Sequence, residues 1–519
     1  MIVDYLDLLM LLALCLVILT GFPVTFLIAG LGVLFAYLGW ALGVFELSLL
    51  RALAQRIFGI MTNPVLIAIP LFVLMGTILE RSRIAEELLE QMGRLFGTLR
   101  GGLAVSVVVV GALLAASTGI VGATVVTMGL IALPAMLRNG YGKGFAAGSV
   151  VTAGTLGQII PPSTMLIILS DVMSTSYQQA QYAQGLFSIR TISVGQVFAA
   201  AILPGLVLVG LYIAYILFTA WRRPDLAPPM PATIDKPPLA KVFATLVPPI
   251  ILIIAVLGSI LGGIATPTEA ASVGAMGALL LAGLRLAPGK SGWPVWLAIA
   301  SIAALLLLTH FFDLRLGRTR ATEAELMAIN VAFGLVALLV LGIGVCLVRA
   351  HRAGILVGVV TQTMTISAMI FGTIIGASIF ALVLRGLGGD ARIESLIEAL
   401  PGGTGAALFF VMLAIFVIGF FLDFVEISII ILPLTVPVLL LMGLDPIWLA
   451  VLIAINLQTS FLTPPFGFSL FYLRGAAPPE IKTLDIYKGV IPFIGLQLCA
   501  IVVIWFFPAI ATTLPRLLF

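Results

Sequence analysis

The sequence predicts an all-α polytopic membrane protein of about 12 to 14 membrane helices, and three observations carry that prediction. Of 519 residues, 61% are hydrophobic and 9% charged, with a mean hydropathy of +1.25. A soluble chain of this size carries roughly a quarter charged residues. Apolar runs at 246–263, 326–348 and 491–507 approach or reach the ~20 residues that cross a bilayer as a helix. They are long and punctuated by Gly and Pro, whereas barrel strands alternate about every second residue.

Taken in order, residues 1–14 hold Asp4 and Asp7 but no basic n-region, so they read as an uncleaved first membrane helix and not a signal peptide. The stretch 80–100 is charged, with Ile84, Leu88, Leu89, Met92, Leu95 and Phe96 at helical spacing. It reads as an amphipathic helix at the interface, either a structural arm or a linker. Ser117-Thr118-Gly119, followed by Gly122-Ala123-Thr124, suits the tip of a helical hairpin that enters the membrane and returns.

Further on, residues 171–190 hold one basic residue and read as an outside loop, while 221–241 contains Arg222, Arg223, Lys236 and Lys241 and reads as cytoplasmic. One crossing joins the two. Arg474, Lys482 and Lys488 mark a second cytoplasmic loop, which places the C-terminus outside. Residues 293–312 and 326–348 read as two extra helices joined by a polar loop, with no counterpart in the first half.

An internal repeat organises the chain. Pro134 to Pro161 and Pro437 to Pro464 are both 27 residues apart, and one shift of 303 also pairs Pro162 with Pro465. The first Pro-Pro run leads to the outside and the second to the cytoplasm, so the halves are inverted, as is common in secondary transporters. The shift sets Ser117 and Thr118 against Phe420 and Phe421, so hydroxyls at the tip are not repeated.

A Pro-Pro pair in mid-membrane leaves backbone groups unpaired unless the break lines a cavity. Hydroxyl and amide side chains flank both pairs: Thr152, Thr155, Gln158, Ser163 and Thr164 at the first, Asn456, Gln458, Thr459, Ser460, Thr463 and Ser469 at the second. Freed carbonyls and hydroxyls suit a hard monovalent cation such as sodium, and helix N-termini favour an anion. The bland alternative is a pair of kinked helices whose hydroxyls bond back to their own turn.

Asp423 and Glu426 stand three apart in an apolar run, on one face of a helix. Carboxylates there are costly and point to function, or to an ion pair between helices. Glu269 follows Thr266-Pro267-Thr268, a helix start where an acid is ordinary capping. Cys15, Cys346 and Cys499 sit singly in apolar runs and read as buried small hydrophobes. His310 and His351 read as interfacial, without ligand spacing around them. No phosphate loop stands in the chain to bind ATP, and nothing supports nucleic-acid binding. No catalytic cluster speaks for an enzyme, and no continuous polar helix face speaks for a channel.

The stretch STGIVGATVVTMGLIALPAMLRNGYGKGFAAGSVVTAGTLGQIIPPS strongly resembles the large membrane subunit of TRAP (tripartite ATP-independent periplasmic) transporters. GGIATPTEAAS, FFLDFVEISIIILPL and NLQTSFLTPPFGFSLFYLRG are similar to later signatures of that subunit, and the resemblance omits about 291–349. It implies an elevator-type carrier of the bacterial inner membrane that imports small organic acids with sodium as coupling ion and no other cofactor. A small four-helix membrane subunit and a periplasmic substrate-binding protein are the implied partners. The N-terminus begins as the large subunit alone does, so a fused small subunit is not expected.

The resemblance places substrate contacts at Ser117, Thr118, Gly119, Thr155, Ser163, Thr459, Asp423 and Glu426. Sodium falls to Ser117, Thr155, Pro161, Pro162, Thr459, Thr463, Pro464 and Pro465. It divides the chain into scaffold and arm (1–100), first hairpin and broken helix (101–170), and external loop, connecting helices and cytoplasmic linker (171–290). A two-helix insertion (291–350), scaffold helices (351–400), second hairpin and broken helix (401–473) and a C-terminal helix (474–519) follow. The insertion and the longer 171–190 loop bear on how the small subunit docks. A binding-protein-independent, ion-coupled organic anion carrier is the alternative.

Overall fold

A computed structural model describes residues 5–119, 121–230, 238–286, 292–316 and 322–519, and all their side chains except those of Ala85, Ser117, Thr118 and Leu239. The start of the expected first helix and the middle of the basic 221–241 loop lie outside the described residues. Those described are helical, without strands, and ten helices are long and apolar enough to cross a membrane. Large apolar side chains such as Phe26, Ile254, Leu306 and Phe506 are exposed along these helices, as expected where the surrounding solvent is lipid.

The chain begins with Leu6–Ile18 and Val24–Ala41; the latter packs on Leu356–Gly386, and Asp7 meets Arg392 at 2.6 Å. Ala52–Thr62 precedes Ala68–Arg81, and Arg83 turns the chain in the left-handed region (φ 59°) into the arm helix Ile84–Phe96. The arm buries Ile84, Leu88, Leu89 and Met92 against its neighbours and pairs Glu87 with Arg285. Its apolar stripe thus lies on protein, with its charges outward.

Two faces follow from the contacts. Arg222, Arg223 and Lys488 line one cavity, so both basic loops share a face, the cytoplasmic one by the positive-inside rule. Asp171, Ser193 and the C-terminal Phe519 line another cavity at the opposite ends of the same helices, which places the C-terminus outside.

The stretch 171–190 is corrected: it is no simple loop. Thr164–Ala183 is one continuous helix, and only the residues after it turn back. Its polar side chains hold that return. Gln181 accepts from Arg190 N at 2.8 Å and donates to Arg190 O at 2.8 Å, while Ser174 Oγ accepts from Ile192 N.

Val194–Arg222, Leu239–Leu261 and Pro267–Arg285 then cross in turn. Thr266 and Glu269 form a reciprocal capping pair, so this acid does the ordinary work of a helix start. Trp293–Phe311 and Glu323–Arg352 pack on each other and on Pro267–Arg285. His310 and His351 stand near their helix ends, both exposed. Cys346 is buried and Cys15 half-buried, but Cys499 is exposed on Thr483–Phe506, so burial does not hold for all three. A thiol facing lipid meets no desolvation conflict that would demand burial.

Candidate functional site

Two hairpins and two broken helices meet inside the protein. The first hairpin is Gly102–Thr118 and Val121–Arg138, rooted on the cytoplasmic face where Gly101 N donates to Ala227 O. The second is Gly403–Ile418, Phe424–Glu426, a π-helical turn Ile427–Ile431 and Leu432–Leu441. Its root lies beside Asp445, which faces Arg516 near the outer C-terminus. The hairpins therefore enter from opposite faces.

Each broken helix stops where its prolines fall. Lys143–Thr155 tightens through Leu156–Gln158, passes Pro161-Pro162 and resumes at Thr164. Pro446–Leu462 passes Pro464-Pro465 and resumes as Phe468–Ala476. Both Pro-Pro bonds are cis.

The tips close onto these breaks. Gly119 sits in the left-handed region (φ +60°), and a Cβ there would lie 3.1 Å from Thr164 N. Thr164 Oγ1 donates to Gly119 O at 2.7 Å. Gly419 lies so close to Ser460 that a Cβ would overlap the Ser460 hydroxyl. The Phe421 and Phe466 rings stand 5.4 Å apart, joining the second tip to the second break.

At the centre Gln458 Nε2 donates to Thr155 Oγ1 at 3.4 Å, and these two residues are separated by the 303 positions of the proline shift. The partner of Thr155 across the molecule is thus Gln458, with Thr459 beside it. The hydroxyls of Thr155, Ser163, Thr459 and Thr463 donate to Thr152 O, Gln158 O, Ile455 O and Thr459 O at 2.7–2.9 Å. A hydroxyl that spends its proton this way keeps lone pairs that can face a cation.

Several buried polar atoms here have no partner among the described residues: Thr152 Oγ1, both side-chain polar atoms of Gln158, Gln458 Oε1, Glu426 Oε2 and Ser428 Oγ. Leaving such an atom unpaired costs roughly 1–3 kcal/mol, and these atoms group at the breaks and the second hairpin. Gln158 and Gln458 already stood among the polar residues flanking the proline pairs; Ser428 carried no signal of its own beyond lying two residues past Glu426.

Asp423 departs from the expectation of a shared helical face. It precedes the helix and caps it, Oδ1 accepting from Phe424 N at 2.8 Å, while Glu426 is buried one turn on, just before the π-helical turn. The capping role follows from a short polar acid meeting free N–H groups at a helix start. Pro161, Pro162, Pro464 and Pro465 contribute backbone only. The Ser117 and Thr118 side chains lie outside the described residues, though the hairpin backbone brings their positions beside Gly119.

Fold and site together define a polytopic membrane protein built around a buried polar junction of two hairpins and two broken helices. Residues 9–293 and 288–510 match the family "Tripartite ATP-independent periplasmic transporter, DctM component". The chain belongs to that family, the large membrane subunits of TRAP transporters, and is a multi-pass inner-membrane protein. The second match runs through 291–349, so the likeness extends into the segment that the motifs alone left out.

The chain is 27% identical over 474 residues to the C4-dicarboxylate TRAP transporter large permease protein DctM of Vibrio cholerae, covering 90% of each. It is 27% identical over 505 residues to the ectoine TRAP transporter large permease protein TeaC of Halomonas elongata, covering 97% of each. In structure it is similar to the Alcanivorax borkumensis YdaH transporter, with a TM-score of 0.52 at 16% identity, over 98% of this chain and 99% of that one. That likeness concerns the fold alone.

Proposed function

We propose that this chain is the membrane carrier for sodium-coupled import of small organic acids, delivered by a periplasmic binding protein and moved by an elevator mechanism. The observation that carries the reading is the junction itself: unpaired buried oxygens and amide groups gathered where two hairpin tips close on two helix breaks. An all-oxygen donor set of hydroxyls and carbonyls suits a hard cation. The Thr155, Thr459 and Thr463 hydroxyls, with carbonyls freed around Pro161-Pro162 and Pro464-Pro465, would hold sodium. Gly119, Ser163 and the positions of Ser117 and Thr118 would face the substrate, with Asp423 and Glu426 at the second tip.

Hairpins entering from opposite faces support an inverted repeat, the arrangement in which one unit swings a midplane site between two sides. The moving unit would be the hairpins with their broken helices; Leu6–Arg81 and Leu356–Gly386 would belong to the scaffold. The tripartite family name supports a small membrane subunit and a periplasmic binding protein as partners. The dicarboxylate relative supports the substrate class.

The test is uptake of labelled succinate into proteoliposomes holding the chain with both partners, with and without an inward sodium gradient. Uptake that follows the sodium gradient, and weakens in Thr155→Val, supports the reading. Uptake that ignores sodium and follows a proton gradient contradicts it and moves the coupling to Asp423 and Glu426.

A further inference from the structure

On the outer face a cleft of about 380 Å³ separates the Ala52–Thr62 and Leu356–Gly386 helices from the outer half of the first broken helix and the second hairpin. Arg56 enters it from one side, Arg385 from another, and Asp171 and Thr175 from the broken helix; Pro433 of the hairpin closes it. The cleft lies between the elements assigned above to scaffold and to moving unit, at the end from which a substrate would arrive.

Neither guanidinium forms an ion pair among the described residues. Arg385 Nε is buried without a partner, and its Nη2 reaches only Pro433 O, at 3.4 Å. Arg56 makes no hydrogen bond among the described residues, and burial together with the neighbouring Arg385 charge pulls its pKa below the ordinary value. The one carboxylate in the lining, Asp171, takes its hydrogen bond from Asn63 Nδ2 at 3.1 Å and pairs with neither arginine.

Two like charges held near one another and partly out of water repel unless an anion bridges them. The planar guanidinium fork matches a carboxylate better than any other side chain does. Structural arginines satisfy this demand with carbonyls or acids of their own chain. Here the Arg385 Nε–H is left without a partner beside a cleft large enough for a four-carbon acid.

We propose that this cleft is an outer vestibule in which Arg56 and Arg385 receive a small carboxylate anion before it reaches the hairpin junction. The inference rests on the reading of the chain as an organic-acid carrier and adds to it an entry site that screens by charge. A dianion is held more tightly there than a monoanion, and a zwitterion least, because attraction to the two arginines scales with net ligand charge.

The experiment uses the full chain with its partners in proteoliposomes and succinate as probe. Cys499, the exposed thiol, is replaced by serine, and Thr175→Cys, at an exposed position lining the cleft, reports its potential. An anionic methanethiosulfonate should modify this thiol faster than a cationic one of similar size. The ratio should fall about fivefold for each of Arg56→Gln and Arg385→Gln. Succinate should slow modification, and its KM for uptake should rise about tenfold in the double variant with the maximal rate kept.

Arg56→Lys and Arg385→Lys should hold the ratio, because charge alone sets it, whereas a merely structural role would lose both readouts together. A reagent ratio and succinate protection unmoved by the double substitution, in a chain that still imports succinate with sodium, would overturn the vestibule and leave the proposed function standing. Succinate protection that needs both arginines, in a chain that imports no carboxylate, would support the vestibule and sink the proposed function.

Discussion

At Gly119 a left-handed backbone and a close neighbour coincide, with Thr164 N 3.1 Å from where a Cβ would stand. Alanine there pays roughly 1–2 kcal/mol for the left-handed conformation alone and must also push the tip from the break. We expect Gly119→Ala to lower the unfolding temperature of the purified protein and to abolish succinate uptake. A variant as stable and active as the parent would show that the tip has no need to approach the break. Thr155 and Gln458 give the second residue-scale prediction. Thr155→Val should raise the sodium concentration for half-maximal uptake about tenfold, equivalent to about 1.4 kcal/mol. Gln458→Leu combined with it should be non-additive, as expected for side chains that share a hydrogen bond.

At the scale of elements, two ion pairs fix helices at the rim and should differ in weight. Asp7, 2% exposed, joins the first helix to Arg392. Glu87 on the arm and Arg285 are each about a third open to solvent. Asp7 is buried and accepts a charge-assisted hydrogen bond, which contributes more than a neutral one, so Asp7→Asn should cost about 1–3 kcal/mol. Glu87→Gln should cost about 0–1 kcal/mol. Thermal unfolding of the two variants compares them, and equal losses would contradict the assignment.

Most of the elements were legible in the sequence because membrane helices announce themselves by length and hydropathy, and the prolines located both breaks to the residue. Three things were not. The polar face of Thr164–Ala183 looked like a loop because a helix end outside lipid can be as polar as a turn; its hydrogen bonds to Arg190 and Ile192 are tertiary. Asp423 and Glu426 satisfied helical spacing, but spacing alone does not say where a helix starts, and Asp423 became its cap. The opposition of Thr155 to Gln458, with Thr459 beside it, needed three dimensions, although the 303 shift already contained it.

For the whole molecule, the proposed elevator mechanism requires the hairpins and broken helices to slide against the scaffold with their polar junction aboard. One contact reports that motion directly. Thr127 of the first hairpin donates to Glu80 Oε1 of Ala68–Arg81 at 2.6 Å, and Gln362 of Leu356–Gly386 also reaches Glu80. If the hairpin moves, this contact belongs to one end of the cycle and breaks at the other. The most direct test is Glu80→Cys with Thr127→Cys in proteoliposomes, in a chain whose Cys15, Cys346 and Cys499 are replaced by serine, bridged through two disulfides by a short bis-methanethiosulfonate. Sodium-driven succinate uptake is then measured before bridging, after it, and after reduction. Uptake should stop on bridging and return on reduction, with the single-cysteine chains unaffected. Uptake that continues at full rate through a completely bridged population would contradict the elevator mechanism, since the junction would then deliver its cargo without moving past the scaffold.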